Sequence, residues 1–121
     1  MYMKAEIKYF VPAAEFSTAE RCFITEVAND LNDDVSITRA RVEPGVTTAW
    51  HKLRNTAERY IIVSGRGRME VRGVPPSDVA AGDVVRIPPD TPQRIINTGG
   101  EDLVFFAVCS PRFTQDCYTS E

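Results

Sequence analysis

The chain has a single histidine, His51, and its three cysteines include no CxxC pair. These scarcities exclude a zinc site built on thiolates, and the odd, widely spaced set Cys22, Cys109 and Cys117 excludes a disulfide framework. Cys22 and Cys109 are expected to be buried in strands as small hydrophobes. No apolar run approaches the roughly 18 residues that cross a bilayer. Lys4, Glu6 and Lys8 break up the N-terminus, so no signal-peptide core is read there. The expectation is a cytoplasmic protein with no membrane partner. A basic excess is also missing: the formal charge is -3, and the arginines of "RGRMEVRG" do not extend into a stripe, so no nucleic-acid partner is expected. Internal repeats, low-complexity tracts and linkers are absent. Residues 1–121 therefore read as one domain, long enough to bury a core without staples.

What is present is strand signal. Hydrophobic residues make up 43% and charged residues 26%, a soluble globular balance. "RCFITEVAND", "DVSITRARVEPG", "RYIIVSGRGRMEVRG", "GDVVRIPPD", "PQRIINTGG" and "EDLVFFAVCSP" are short runs rich in Val, Ile, Phe and Thr, each bounded by Gly, Pro, Asn or Asp. Their regular spacing points to an all-β barrel or sandwich. "PAAEFSTAERCF" allows one helical turn, with Ser17 to Glu20 as a cap or turn. "PPDTP" (88–92) cannot continue a central ladder, because three of its five residues lack an N–H. The final "RFTQDCYTSE" is polar enough for a loose tail, which Phe113 and Tyr118 would anchor.

Two segments carry more. The first reads Gly45, five residues, His51, one residue, Leu53, four residues, Glu58, six residues, Gly65. The second reads Gly82, five residues, Pro88, one residue, Asp90, two residues, Gln93, three residues, Asn97. Motif 1 (45–65) resembles the first motif of the cupin superfamily, G-x5-H-x-H-x(3,4)-E-x6-G, with one substitution. Motif 2 (82–97) resembles the second, G-x5-P-x-G-x2-H-x3-N, with two. The resemblance implies an all-β double-stranded β-helix, or jelly-roll barrel. Asp90, in place of the family's glycine, sits in a turn where Asp tolerates a left-handed backbone.

In cupins two histidines and a glutamate from the first motif meet a histidine from the second inside the barrel. The matching positions here are His51, Leu53, Glu58 and Gln93. Period-2 alternation turns i and i+2 the same way, so the strand after Glu58 carries Tyr60 and Ile62 inward, and Ile95 and Asn97 follow Gln93. The implied metal ligands are His51, Glu58 and Gln93, around a divalent transition metal (Zn, Ni, Fe or Mn). Only one imidazole remains, and an amide oxygen is a weaker donor than the histidine it replaces, so the site is expected to be weak. Inward Glu58 needs a partner, since a buried carboxylate is costly alone; His51, a metal or Arg94 would serve. Gln93 is equally satisfied by bonding His51 or Tyr60.

Catalytic candidates are His51, Glu58 and Tyr60, whose hydroxyl is placed to act as acid, base or clamp. Arg39 and Arg41 either meet an anionic substrate at the barrel mouth or face solvent or a subunit. Trp50 is expected to point away from His51. Two functions compete. One is a small-molecule enzyme, an isomerase, lyase or decarboxylase, with a metal as Lewis acid or with a metal-free acid–base pair. The other is a ligand-binding or sensor barrel without turnover, for which apolar Leu53 suits the lumen. The resemblance further implies a homodimer in which the apolar "IKYFV" near the N-terminus covers an exposed sheet edge.

Overall fold

The computed structural model describes residues 3–121. Its strands are β1 (Phe16–Ser17), β2 (Phe23–Ala28), β3 (Ser36–Val42), β4 (His51–Leu53), β5 (Ala57–Ser64), β6 (Arg66–Val71), β7 (Ser77–Ala80), β8 (Val84–Ile87), β9 (Gln93–Asn97), β10 (Leu103–Ser110) and β11 (Tyr118–Ser120). They form one sheet in the order β1-β2-β3-β10-β5-β8 and a second in the order β11-β4-β9-β6-β7. Every pairing is antiparallel. This is the expected double-stranded β-helix, and each of the six strand-bearing segments contributes to it. The only helical features among the described residues are 3-10 turns at Pro12–Ala14 and Gln115–Cys117.

Alternation decides what faces inward. Along β5, Glu58, Tyr60 and Ile62 are buried while Arg59, Ile61 and Val63 are exposed. Along β9, Gln93, Ile95 and Asn97 are buried, with Arg94 and Ile96 less so. Register then sorts the interior into two ends. β10 sets Cys109 opposite Glu58, Ala107 opposite Tyr60 and Phe105 opposite Ile62. Polar groups thus gather at the Glu58 end, and Val42, Ile62, Met69, Ile95, Leu103 and Phe105 pack the apolar core beyond them. Asn97 closes the far end of β9, its amide nitrogen donating to the Val42 and Glu101 carbonyls, both at 2.8 Å.

Two motif positions show why their residue types are needed. Gly65 has φ +88°, and a Cβ there would meet the Asp102 carbonyl oxygen at 2.6 Å, so the β5–β6 turn admits no side chain. Asp90 adopts φ 61°, and its Oδ1 accepts the Asn55 N–H at 3.2 Å, which is why Asp replaces glycine without breaking the turn.

Two expectations change. The C-terminal residues are no loose tail: Tyr118–Ser120 pairs with β4, and Cys117 is buried against Leu53 and Cys109. Cys22 is buried but sits in the turn before β2, not in a strand, whereas Cys109 lies in β10 as expected. The "IKYFV" segment forms no strand within the single chain. Phe10 lies beneath the Arg39 guanidinium at 4.8 Å, and Ile7 and Tyr9 are exposed.

Candidate functional site

β4 is short but held on both sides. Ser120 of β11 lies opposite His51 on one edge, and Gln93 of β9 lies opposite it on the other. The His51 ring also stacks on Tyr118, with centroids 5.2 Å apart and planes at 17°. From β5, Glu58 and Tyr60 project into the same space, as alternation requires.

Gln93 ties these residues together. Its Nε2 donates to Glu58 Oε1 at 3.0 Å and faces His51 Nε2 at 2.7 Å, while its Oε1 accepts the Tyr60 hydroxyl at 3.0 Å. An amide nitrogen only donates, so His51 Nε2 must accept and the ring proton sits on Nδ1. There the Ala49 carbonyl takes it at 3.0 Å. Glu20 Oε2 stands 2.8 Å from the same nitrogen, off the hydrogen-bond axis, buried and without a well-aligned donor. A second proton on Nε2 has no acceptor unless the Gln93 amide turns over and presents Oε1.

Charge follows from this packing. Burial lifts the Glu58 carboxyl up to about 7; the charge of His51 opposes the rise and that of Glu20 adds to it. Its Oε2 has only the Cys109 thiol for company, at 3.7 Å. Burial works against a charged His51, but the neighbouring Glu20 carboxylate outweighs it and holds the ring above its usual value. Tyr60 is pushed well above the ordinary phenol range, chiefly by burial and then by the charge of Glu58. Glu58 is thus poised to gain or lose a proton near neutrality, and Tyr60 stays protonated.

These groups open onto a cavity of about 490 Å³ walled by β2, β3, β4, β5 and β10, the turn before β2 and the C-terminal residues. His51, Glu58 and Tyr60 line it; Gln93 does not, and at 1% exposure it braces them from behind.

That placement bears on the implied metal. Gln93 offers N–H groups, not lone pairs, to His51 and Glu58, and its oxygen accepts from Tyr60. The three implied ligands therefore bond one another instead of converging on a shared point. Leu53, at the fourth position, packs on Cys109 and Cys117. No cluster of three or more His, Cys, Asp or Glu side chains suited to a metal occurs among the described residues. As arranged, this donor set does not fit a divalent transition metal.

Other candidates lie elsewhere. Arg94 is not the partner of Glu58; it pairs with Glu70 at 2.9 Å on the outer face and covers the Trp50 ring at 4.6 Å. Trp50 thus points away from the lumen, as expected. Arg39 and Arg41 also turn outward. Arg41 bonds Glu15 at 2.7 Å and Asp102 at 3.2 Å, and Arg39 lies 3.6 Å from Glu15, so neither meets a substrate at the mouth.

Glu20 and Tyr118 had no sequence signal as site residues. Glu20 sits in a turn, as expected for 17–20. Its N–H bonds Thr18 Oγ1 at 3.2 Å, and its carbonyl accepts the Ala49 N–H at 3.2 Å, which fixes it beside the His51 strand. No helix among the described residues is long and apolar enough to cross a membrane.

Comparison with known proteins agrees with this architecture. An uncharacterised protein of Methanocaldococcus jannaschii is 33% identical over 81 residues, covering 67% of this chain and 64% of that protein. Glucose-6-phosphate isomerase of Pyrococcus horikoshii is 36% identical over 66 residues, 49% of this chain and 33% of the enzyme. The chain thus aligns with less than two thirds of either relative's length. Among solved structures, a single-site variant of the Streptomyces nucleoside dehydratase Pac13 with uridine superposes with a TM-score of 0.79 at 18% identity, over 97% of this chain and 92% of that one. The Cupin domain model matches residues 38–109, which take in both motifs. On that match the chain belongs to the cupin family.

Proposed function

We propose that this cupin is a small-molecule enzyme of the isomerase or lyase type that works by metal-free acid–base chemistry, with His51, Glu58 and Tyr60 as the catalytic residues and Gln93 positioning them. The observation that carries the reading is Glu58: a buried carboxyl facing the cavity and held at about 7, where a group is most effective at both taking and giving a proton. Across a bound molecule Glu58 removes or returns a proton. The Tyr60 hydroxyl, which donates to Gln93 Oε1 when no molecule is bound, turns to a substrate oxygen and stabilises the charge that develops there. His51, fixed by stacking and by Gln93, orients the substrate. The activities carried in the names of the similar proteins, an isomerase and a dehydratase, are both compatible with such proton transfers.

A broad panel of substrates tests this. Small metabolites, charged and uncharged, are incubated with the protein in D2O and followed by NMR for deuterium incorporation at carbon or for elimination. Turnover is expected to survive dialysis against EDTA and to fall at least a hundredfold in Glu58→Gln. Turnover that returns only on adding a divalent metal, or that ignores the substitution, contradicts the reading.

A second reading, ligand capture without turnover, is favoured by one observation: the Tyr60–Gln93–His51/Glu58 bonds close on themselves. It predicts saturable binding in the same panel with no exchange at any carbon. For the assembly we propose a homodimer that buries the exposed Ile7 and Tyr9 of the N-terminal segment. We propose a cytoplasmic location.

A further inference from the structure

The ionisable groups lining the cavity are unequally balanced. Among the described residues its carboxylates are Glu20, Glu26 and Glu58, and no lysine or arginine lines it. The basic group on its wall among these residues is His51, which already stands 2.8 Å from Glu20. The nearby cations are committed elsewhere. On β3, alternation sends Thr38 and Ala40 inward and turns Arg39 and Arg41 to the outer face, where Glu15 and Asp102 hold them. Arg112 bonds Asn29 at 3.0 Å.

The hydrogen-bonding inventory leans the same way. Glu20 Oε2 is buried with no aligned donor, and Glu58 Oε2 has only a thiol at 3.7 Å. Both atoms are acceptors on residues that line the cavity. The aromatic surfaces of Tyr60, Phe105, Phe113 and Tyr118 complete the lining with apolar faces.

Taking the proposed small-molecule reading as given, we infer that the cavity selects an uncharged or cationic ligand rich in O–H or N–H donors, of monosaccharide to nucleoside size, and rejects carboxylated and phosphorylated ones. The size follows from about 490 Å³, near the lower part of the range for small-molecule pockets. The sign follows from Coulomb's law in a partly enclosed space: an anion entering meets the carboxylates of Glu20 and Glu26, and His51, the basic group on the wall, already stands against Glu20. A neutral polyol, nucleoside or amine supplies the donors that Glu20 Oε2 and Glu58 Oε2 lack. The consequence separates this chain from its isomerase relative, whose named substrate carries a phosphate.

His51 gives a direct readout, since the chain has one histidine and therefore one set of imidazole resonances. A fragment library with equal numbers of anionic, neutral and cationic members is screened by the shift of those signals, using uridine against uridine 5′-monophosphate and glucose against glucose 6-phosphate as matched pairs. Neutral and cationic fragments are expected to supply nearly all hits, and the uncharged member of any pair that binds should do so at least tenfold more tightly. Glu26→Gln, on an exposed side chain of the wall, is expected to raise the affinity of anionic fragments several-fold and leave neutral ones unchanged. Anions binding as often or as tightly as neutral fragments in the parent protein overturn the charge inference alone. No hit of any class overturns small-molecule binding itself, and the inference falls with it.

Discussion

Replacing Glu58 by glutamine isolates the cost of placing a carboxyl in this barrel. The side chain keeps its shape, and its amide oxygen still accepts from Gln93 Nε2. What disappears is the titration. In the folded protein the Glu58 carboxyl sits at about 7, against an ordinary value of 4.5. Between these pH values the folded chain holds a proton that the unfolded chain has released, so stability falls as pH rises and levels off above the folded value. A separation of about 2.5 in pKa, at roughly 1.36 kcal/mol for each, costs about 3 kcal/mol by pH 8. That is a large share of the stability of a domain this size. His51 runs in the same direction: its value is also raised, so its contribution is full below the unfolded value and is lost as pH rises through the folded one. It remains in the variant, weakened because the charge of Glu58 helps to raise it.

The assay is urea unfolding followed by the fluorescence of Trp50, the only tryptophan, at pH 5, 6, 7 and 8. Glu58→Gln is expected to exceed the parent by about 1 kcal/mol at pH 5 and by about 3 kcal/mol at pH 8. With a slope near 2 kcal/mol per molar, the midpoints separate by about 1.5 M. Two curves that keep a constant offset from pH 5 to pH 8 would refute the reasoning, because Glu58 would then be ionised in the folded state as readily as in water.

Gln93→Leu leaves the buried Tyr60 hydroxyl, Glu58 and His51 Nε2 without their partner and is expected to cost at least about 3 kcal/mol in the same denaturation assay; a loss below about 1 kcal/mol would mean the three groups find other partners. Leu53→His restores the family's residue but places an imidazole against Cys109 and Cys117. It is expected to cost about 2 kcal/mol without creating a metal site, since the Gln93 amide still faces His51. Plasma emission analysis giving near one zinc or nickel per chain of Leu53→His would contradict this. For the proposed dimer, light scattering at micromolar concentration should give twice the mass of one chain, and removal of residues 1–11 should shift it toward the monomer; a parent protein that is monomeric already would end that proposal.

How much of this was legible follows from how local each signal is. Spacing within 45–65 and 82–97 carries the barrel, because each motif records a strand, its turn glycine and the alternation that aims Glu58, Tyr60 and Gln93 inward. Glu20 and Tyr118 leave no such trace. Both reach His51 from outside the motifs, across a barrel whose closure depends on pairing between distant segments, and neither belongs to a periodic run. Gln93 reads in the sequence either as an oxygen ligand or as a partner of His51 or Tyr60, and packing decides for the second, with bonds to both. β11 was missed because "YTS" in a polar stretch carries little strand propensity; it is a strand because β4 offers it an open edge.

The short strand that carries His51 has a consequence for the order in which the protein is built. It lies between Gln93 and Ser120, partners supplied by much later parts of the chain. A ribosome delivers residues in sequence, so the nascent chain holds His51 for dozens of residues before either neighbour exists. The cavity cannot take shape until residues 118–120 have emerged and closed over it. A chain cut short of residue 118 keeps both motifs but lacks Tyr118 and Ser120 from the cavity wall.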